Sequence, residues 1–507
     1  MTPDRLKTIL SSSYDIVCFE NLSDYINRHS DLFEFFRNQY QTQFLDQQRL
    51  IFYTACDIDQ TLCDHLQRSI QSNNIGNFFV LICSTTDLTH KLSVARDKFN
   101  PGDVTIDNQV FDLQCDHSSQ ANRYLQQVDN ICALPYASLS IFNNQAVPCC
   151  KFESGPIDHI ASTSLNEIFN GHRMQQIRTD MFRGKKLKEC QTCWNHEATH
   201  NSSLRKYYLE KYQGQLDHKL LDDPQLIELQ IAPSTVCNFV CRICNSMTSS
   251  RIAAEELNHA PTAEHAQSIQ NIIRLSSAQS RQANNLLLDN VADTFANITT
   301  LRLVGGEPFL WYNLEKFLHS LIEHNYAQNI RLEFNTNGSV YSDSVMALIQ
   351  QFREVEILIS IDAVGQRFEI QRGGNWSTVN ENVARFSQLR NHSFIVKLCP
   401  TVNIQNVLYL DEVIDYAQQW QYEIVWWYLE NPDYLCIDHV TQLAKTLIVN
   451  KYQNHELAEF RNIAARVHAK KPVCGKRFID HMHKLDQRRA QNFEQSHTEI
   501  YQAMLSL

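Results

Sequence analysis

The sequence lacks three features that would assign the chain to a broad class of protein. No apolar run reaches about 18 residues, so we expect no membrane-spanning helix and no membrane partner. The first residues, MTPDRLKTILSSS, contain no apolar segment like that of a secretory signal peptide, which favours a cytoplasmic location. Neither an internal repeat of solenoid period nor a low-complexity tract is present.

Basic charge is also in short supply. The 45 Lys and Arg residues are outnumbered by 56 Asp and Glu residues, which gives a formal net charge of −11. Nucleic-acid binding depends on clustered positive charge, so this balance argues against a nucleic-acid partner. With 507 residues, the chain is long enough for about two to four domains with sizeable cores.

Cysteine, by contrast, is abundant. The chain has 16 cysteines and no export signal, which favours metal or cluster binding over disulfides. Cys237, Cys241 and Cys244 stand at C-x3-C-x2-C in the segment CNFVCRIC. A cubane of four irons normally takes four thiolates, so three closely spaced ones can leave one iron open to a small molecule. A zinc knuckle or three buried thiols would give the same spacing.

Residues 1–120 are predicted to form a small α/β domain of unknown role. RLIFYTA and NFFVLIC are apolar throughout, as strands covered on both faces are. CDIDQTLCDHLQRSI, between them, is predicted to be a helix, and VTIDNQVFDL a hairpin. Three cysteines in or beside these elements are interpreted as buried core thiols rather than ligands. They are Cys56, Cys63 and Cys83.

Residues 121–215 contain a second set of cysteines. CALPYASLSIFNNQAVPCC is predicted to form a hairpin, and a helical segment then leads to a C-x2-C pair in KECQTCW. Four thiolates could meet here, as in an iron–sulfur cluster or a structural zinc site. Cys149 and Cys150 compete for one place because neighbours on a strand point opposite ways, and we favour Cys149. The five cysteines are Cys132, Cys149, Cys150, Cys190 and Cys193.

Residues 216–440 alternate between strand-like and helical segments. LIELQIA leads into the cysteine segment, and five further strands follow: TLRLV, NIRLEFNTNG, VEILISID, FIVKLCPTVN and YEIVWWYLE. Six strands alternating with helices predict a parallel (β/α)6 sheet curved into a partial barrel, within an α/β protein. A polar, helix-rich insertion lies at about 251–298, and 441–507 is predicted to be a charged helical region with a lone Cys474.

One face of several predicted strands is polar. Ile330, Leu332 and Phe334 alternate with polar residues, and LIELQIA shows the same alternation. A complete eight-stranded barrel fills its interior with Val, Ile and Leu. Because the apolar face must meet the helices, we expect the polar face to line an open, wet cavity for a polar substrate.

Glycine-rich and polar segments fall where the predicted strands end. LRLVGGEP places Gly305, Gly306 and Glu307 after one strand, TNG ends the next, and Ser360 and Asn403 follow two others. In parallel α/β folds, sites form at the carboxyl ends of the strands. We therefore expect these residues and the cysteine segment to converge.

CNFVCRIC followed by GGEP resembles the radical SAM enzymes. The pattern of residues 121–215 (C-x2-P-aromatic, a hairpin, V-P-C-C, L-x-E-I-F-N and C-x2-C) resembles the SPASM/twitch auxiliary-cluster module. The second resemblance favours an auxiliary 4Fe–4S cluster over zinc. In better-known members this module follows the barrel, whereas here it precedes the barrel.

The resemblance implies roles for individual residues. Cys237, Cys241 and Cys244 would bind three irons of a site-differentiated 4Fe–4S cluster. The fourth iron would bind the amino and carboxylate groups of S-adenosylmethionine. Cys132, Cys190 and Cys193 would bind the auxiliary cluster, together with Cys149 or Cys150.

Other residues would contact S-adenosylmethionine. Gly305 and Gly306 would let the backbone approach the methionyl ammonium, and Glu307 would add a carboxylate. Arg372, in RGGNW, would contact the methionyl carboxylate, because a planar guanidinium suits two oxygens. Ser360 would contact the ribose, and Asn403 the ribose or adenine. The alternative is that Ser360, Arg372 and Asn403 only cap helices or stabilise turns.

The sequence also departs from the family pattern. Ile243 stands where many members carry an aromatic residue before the third cysteine, so stacking on adenine is lost. No G-x-I-x-G-x-x-E motif follows on the fifth strand. Trp376 is expected to pack rather than bind.

The implied activity is reductive cleavage of S-adenosylmethionine to a 5′-deoxyadenosyl radical that takes hydrogen from a peptide or protein substrate. The auxiliary cluster would serve electron transfer, and a flavodoxin- or ferredoxin-like donor would supply electrons. The first alternative is the same chemistry on a small polar metabolite, such as a sugar or nucleotide derivative. The second is a non-catalytic iron–sulfur or zinc protein, against which GGEP and RGGNW argue.

Overall fold

The computed structural model describes three short strands near the amino terminus and most of the chain from residue 130 onward. The described residues are 16–19, 50–54, 78–82, 130–142, 144–153, 155–160, 163–200, 203–212, 223–289 and 291–506. The chain divides into two compact units, residues 1–123 and 124–507.

The first unit contains a parallel sheet of three strands. In spatial order these are β1 (Ile16–Phe19), β2 (Leu50–Thr54) and β3 (Phe78–Ile82). β2 and β3 lie where the sequence predicts strands, and β1 was not predicted. The predicted helix CDIDQTLCDHLQRSI and hairpin VTIDNQVFDL lie outside the described residues, as do Cys56, Cys63 and Cys83.

The second unit begins with the region of the second cysteine set. Its elements are α1 (Leu134–Ala137), β4 (Ser138–Phe142), β5 (Gln145–Val147), β6 (Asp158–His159), α2 (Leu165–Phe169), α3 (His172–Phe182), α4 (Gln191–His200) and α5 (Leu204–Lys211). The predicted hairpin is present as β4 and β5. Ser164 caps α2 with a reciprocal capping box to Glu167, which explains why the helix starts there.

Strands and helices then alternate, as predicted. In order they are β7 (Glu228–Ala232), α6 (Ser250–Asn258), α7 (Ala263–Asp289), α8 (Val291–Phe295), β8 (Thr300–Leu303), α9 (Leu314–Glu323), β9 (Arg331–Thr336), α10 (Asp343–Ile349), β10 (Glu354–Ile359), α11 (Gly365–Arg372), α12 (Trp376–Gln388), β11 (Phe394–Leu398), β12 (Thr401–Val402), α13 (Leu410–Trp420), β13 (Glu423–Ile424) and β14 (Trp427–Tyr428). Five helices close the chain: α14 (Gln442–Tyr452), α15 (Ala458–Ala469), α16 (Lys476–Arg489), α17 (Phe493–Ser496) and α18 (Thr498–Leu505).

The main sheet has the strand order β13-β11-β10-β9-β8-β7-β4-β5-β6. Every pairing from β13 to β4 is parallel, and only β4–β5 and β5–β6 are antiparallel. The prediction of an α/β fold with a mostly parallel sheet is confirmed. β12 and β14 form a separate parallel pair.

The hairpin of the second cysteine set belongs to the main sheet. β4 pairs in parallel with β7, so that Ser138 lies opposite Glu228 and Phe142 opposite Ala232. Without β4, the N–H and C=O groups along that side of β7 would form an open sheet edge. The hairpin therefore extends the sheet beyond its predicted first strand.

The apolar face of the sheet packs against the helices. Leu229, Leu301, Leu332 and Ile357 are fully buried, in one core with Phe317 of α9. A second core joins α14–α18 to the segment after β12, and a third underlies the second cysteine set. Within the described part of the chain, no helix combines the length and hydropathy needed to cross a membrane.

Candidate functional site

The C-x3-C-x2-C cysteines lie in the loop that follows β7. Cys241 is buried, Cys237 is partly buried and Cys244 is exposed. A hydrogen bond from the Cys244 thiol lowers the pKa of Cys241 to about 7, whereas the same bond raises the pKa of Cys244. Burial raises the pKa of Cys237, and the Cys241 thiol adds to this. The three thiols are therefore close enough to affect one another's charge.

The GGEP turn after β8 lies directly on this loop. The N–H of Gly306 donates to Ser234 O at 3.1 Å, and the N–H of Glu307 donates to Val236 O at 2.8 Å. A Cβ on Gly306 would stand 2.2 Å from Val236 O, and one on Gly305, which has a φ of +119°, 2.7 Å from Ser234 O. Both glycines thus permit a close approach of two protein backbones. Their contact with the methionyl ammonium stays a prediction.

The Glu307 carboxylate connects the turn after β8 to the end of β9. It accepts hydrogen bonds from Asn337 N at 2.7 Å, from Thr336 Oγ1 at 2.8 Å and from Phe309 N at 3.2 Å. The side chain is buried, and burial raises its pKa to about 6 despite these donors. Glu307 therefore has a structural role here, and the predicted contact with S-adenosylmethionine stays a prediction.

Asn337 is the middle residue of TNG, which the sequence places at the carboxyl end of its strand without assigning this residue a role. Its Nδ2 donates to Asn238 Oδ1 at 2.9 Å and lies 3.9 Å from the Cys237 Sγ. The residue is 5% exposed. A polar residue directly after an apolar strand was the signal that could have identified it.

Arg372 lies at the carboxyl-terminal end of α11, beside the cysteine loop. It forms a buried ion pair with Asp362, whose other oxygen accepts from Thr401 N at 2.7 Å. Burial alone would lower the pKa of Arg372, but the Cys241 thiol and the Asp362 carboxylate raise it well above its usual value. Asp362 was not predicted, because its partners are remote in sequence.

The glycines of RGGNW fit against the middle of the cysteine segment. A Cβ on Gly373, which has a φ of +68°, would stand 2.3 Å from Val240 Cγ2. A Cβ on Gly374 would stand 2.1 Å from Phe239 Cζ. RGGNW and the cysteine segment therefore pack directly against each other, without room for side chains at the two glycines.

Ser360, Asn403 and Trp376 have different surroundings. Ser360 is half-buried at the end of β10, and its N–H donates to Thr336 O at 2.9 Å. The Asn403 amide is engaged in its own turn, donating to Thr401 O at 2.8 Å and accepting from Gln405 N at 2.9 Å. Trp376 packs on aromatic rings, as expected, with centroids 5.1 Å from those of Phe368 and Tyr416. The adenosyl contacts of Ser360 and Asn403 stay predictions.

The second cysteine set gathers near the amino-terminal end of β4. Cys132 and Cys193 are buried, and Cys149 and Cys190 are partly buried. Burial raises the pKa of Cys132 to about 12, and the nearby Cys193 and Cys190 thiols add to this. Burial likewise raises the pKa of Cys190 to about 12, with a further contribution from Cys193.

The surroundings of Cys149 and Cys150 differ. Burial raises the pKa of Cys149, and the neighbouring Cys150, Cys132 and Cys190 thiols add to this. Burial also raises the pKa of Cys150, but its main charged neighbours are Lys151 and Arg302. Cys149 thus faces the cysteine set, and Cys150 faces the polar side of the sheet.

The chemistry of both sets suits iron–sulfur clusters. Each offers free thiols, three in the first set and four in the second when Cys149 is counted. Across the described residues, no three His, Cys, Asp or Glu side chains are arranged to hold a single metal ion. A cubane spreads its ligands over four irons, so its thiols stand further apart than those around one ion.

The polar face of the sheet is paired rather than open at the amino-terminal end of the strands. The buried Glu228 carboxylate accepts from Tyr212 OH at 2.8 Å, from Lys211 Nζ at 2.6 Å and from Tyr208 OH. Arg302 reaches Glu333 at 2.6 Å. The sequence predicted the polarity but not the partners, because the α5 residues that fill this end lie outside the strands.

Comparisons with known proteins match two parts of the chain. Residues 231–417 match the model of the radical SAM superfamily, and residues 132–194 match the SPASM iron–sulfur cluster-binding domain. The chain therefore contains a radical SAM domain and a SPASM domain. The two domains imply a 4Fe–4S cluster with S-adenosylmethionine and an auxiliary iron–sulfur cluster, as predicted. They argue against the non-catalytic alternative.

Solved structures similar to this chain include SuiB from Streptococcus suis. SuiB bound to S-adenosylmethionine is 14% identical, with a TM-score of 0.29, covering 53% of this chain and 54% of SuiB. SuiB bound to the precursor peptide SuiA is 12% identical, with a TM-score of 0.28, covering 67% of this chain and 56% of SuiB. The match spans about half the length of these structures. No curated protein matches the chain.

Proposed function

We propose that this radical SAM protein cleaves S-adenosylmethionine reductively and abstracts hydrogen from a peptide or protein substrate. The observation that carries the proposal is the convergence of three interacting thiols with buried Arg372 at the carboxyl-terminal edge of the sheet. A 4Fe–4S cluster held by Cys237, Cys241 and Cys244 would supply the single electron that reductive cleavage of the S-adenosylmethionine sulfonium requires.

The protein's role would be to bind and orient the cluster and S-adenosylmethionine. Cys237, Cys241 and Cys244 are the cluster ligands, and Arg372 supplies a fixed positive charge beside them. Within the described residues, its Nε is buried and has no hydrogen-bond partner, which suits the methionyl carboxylate. Asp362 holds the other end of the guanidinium, so the charge is oriented before a ligand arrives.

The second set would bind the auxiliary cluster through Cys132, Cys149, Cys190 and Cys193. β4 and β7 are parallel partners, and the two sets follow opposite ends of this pair. Their five paired residues alone span about 13 Å. A cluster at that distance from the cysteine loop suits electron transfer, either from a substrate radical or towards the first cluster. It does not suit direct bonding to S-adenosylmethionine.

The finer architecture belongs to the same proposal. The strands β7, β8, β9, β10, β11 and β13 would form the (β/α)6 partial barrel of residues 216–440. Residues 121–215 would be the auxiliary module, 1–120 a small α/β domain and 441–507 a helical region. A flavodoxin- or ferredoxin-like protein would donate the electrons.

A small polar metabolite is the second candidate substrate. Its supporting observation is the polar face of the strands, from Gln230 to Glu356. The charged groups at the amino-terminal end of that face already pair with one another, which leaves them less available to a small polar ligand. A peptide uses backbone hydrogen bonds and depends less on such groups.

Anaerobic reconstitution tests the proposal. We expect about eight irons per chain, and about four when the three loop cysteines are changed together to Ala. The triple variant should make no 5′-deoxyadenosine with dithionite, as measured by chromatography. Cys190→Ala combined with Cys193→Ala should still make it without substrate, because the first cluster alone holds S-adenosylmethionine. A folded triple variant that still produces 5′-deoxyadenosine would refute the assignment.

A further inference from the structure

Arg242 stands between the second and third cysteines of the cluster segment and is buried. It is 1% exposed, and its side chain makes no contact with solvent. Charged side chains are almost never buried to this degree unless they are paired. The sequence motifs assign no role to this position, so its partners are informative.

The first partners of Arg242 are in the last turn of α11. Its backbone N–H donates to Gln371 O at 2.8 Å, and its Nε donates to Ile370 O at 2.9 Å. Carbonyls at the carboxyl-terminal end of a helix carry partial negative charge and favour a cation. The guanidinium therefore links the middle of the cysteine segment to α11, the helix that ends at Arg372.

The other partners come from the carboxyl-terminal region, more than 230 residues along the chain. Nη2 pairs with the Asp486 carboxylate of α16 and donates to Gln491 Oε1 at 2.9 Å. The guanidinium also lies 5.4 Å from the centroid of the Phe493 ring. Asp486 in turn accepts from Phe493 N at 2.9 Å, so one carboxylate joins Arg242, α16 and the start of α17.

α16 contacts the chain on both sides of Cys244, the third cysteine. His481 of α16 places its Nε2 3.2 Å from the backbone carbonyl of Arg242. Arg489, at the end of α16, forms two hydrogen bonds of 2.8 Å to Glu255 on α6, the helix that follows the cysteine loop. Cys244 lies between these two attachment points, at Arg242 and Glu255.

We infer that α16 and α17 form part of the scaffold of the catalytic cluster, and that Arg242 is a positioning residue that sets the placement of the Cys241 and Cys244 thiols. Its backbone joins the two ligands, so any rotation there moves both. The inference rests on the proposed function, because it assumes that these thiols hold a cluster. It assigns to the carboxyl-terminal helices a role in assembling a site more than 200 residues away.

The test compares two buried arginines of the same region. Arg242→Met removes the guanidinium from the cysteine loop. Arg466→Met is the matched control, because Arg466 is also buried and pairs with Asp438 at 2.8 and 2.7 Å, away from the loop. In the Cys190→Ala, Cys193→Ala background, where only the cluster of the cysteine loop can form, we expect Arg242→Met to lose its irons after anaerobic reconstitution and Arg466→Met to keep about four.

A second readout uses the protein before reconstitution. Cys241 is 6% exposed, so its alkylation by iodoacetamide reports opening of the loop. Mass mapping should show several-fold faster alkylation of Cys241 in Arg242→Met and an unchanged rate in Arg466→Met. Arg242→Lys keeps a charge without the planar fork, so we expect intermediate iron and an intermediate rate.

Each outcome decides the matter. Full iron loading with wild-type alkylation in Arg242→Met overturns the inference, as does an equal loss in Arg466→Met, which would indicate general destabilisation. Wild-type protein that binds no cluster at Cys237, Cys241 and Cys244 overturns the proposed function as well. If Arg242→Met does not fold, Asp486→Asn with Gln491→Ala removes the ion pair with α16 and the hydrogen bond to Gln491 while leaving Arg242 in place, and the same two readouts apply.

Discussion

At the scale of single residues, the side chains around the cysteine loop serve mainly to hold backbones together. Gly306 and Gly374 leave room for Val236 and Phe239, and Glu307 connects the turn to β9. The contacts at Gly306 and Gly374 require that these positions carry no side chain. The contacts at Glu307 require a buried carboxylate. Motif recognition found the positions because they are adjacent in sequence, but it assigned the contacts to the ligand.

The buried Glu307 carboxylate predicts a pH dependence of stability. Its folded pKa of about 6 lies above the ordinary 4.5, so the folded state binds its proton more tightly than the unfolded state. The resulting stabilisation is complete below pH 4.5 and is lost as the pH rises to about 6, a change of about 2 kcal/mol.

Denaturant titrations of the apoprotein between pH 4 and 7 measure this effect. The difference in unfolding free energy between wild type and Glu307→Gln should shift by about 2 kcal/mol in favour of the variant as the pH rises. Glu264→Gln, which removes an exposed carboxylate of α7, is the control and should follow wild type. A constant difference between wild type and Glu307→Gln across this range would contradict the assignment.

The neighbours Cys149 and Cys150 make a matched pair. Cys149 faces the other cysteines and Cys150 faces Arg302, so only the first should bind the auxiliary cluster. We expect Cys149→Ala to fall from about eight irons to about four and Cys150→Ala to retain all of them. Iron analysis after reconstitution measures both, and the reverse pattern would make Cys150 the ligand.

At the scale of elements, the sequence could not predict which part of the sheet α5 contacts. Its Tyr208, Lys211 and, just beyond, Tyr212 all reach Glu228 at the start of β7. The alternation in LIELQIA predicted that Glu228 would face the polar side. The partner helix could not be predicted, since nothing local in either segment encodes a contact between them.

Strands and helices were predictable for the opposite reason. The period-two pattern of NIRLEFN and the apolar stripe of α9 are properties of single segments, and both elements lie where they were predicted. β4 shows the limit of such reasoning: its strand character was local, but its parallel pairing with β7 was not. The same limit hid Arg242 and Asp362.

Removing the Glu228 carboxylate should be costly. Glu228→Leu leaves two buried tyrosine hydroxyls and Lys211 without their acceptor, and loss of one partner of a buried pair costs about 3–5 kcal/mol. Glu423→Leu is the control, because its pair with Lys397 is largely exposed and such pairs contribute about 0–1 kcal/mol. Denaturant unfolding measures both, and equal losses would show that the α5 network does not stabilise the sheet.

At the scale of the second unit, residues 124–507, the auxiliary region touches both ends of the run of parallel strands. β4 pairs with β7 at one end. Lys151 and His196 both contact Glu430, in the segment that follows β13 and β14 at the other end. The Arg466–Asp438 pair lies close enough to His196 to affect its charge, so this bridge continues into the helices after β14.

This bridge has a consequence for the order in which the chain is assembled. A region that contacts both the first and the last strands of the parallel run can be reached from either strand by a short connection. Joining it before β7 or after β13 would leave it in the same place, and the two arrangements would differ by a circular permutation. The order of the cysteine sets along the sequence then depends only on which of the two strands the connection reaches. It does not require a different arrangement of the two centres.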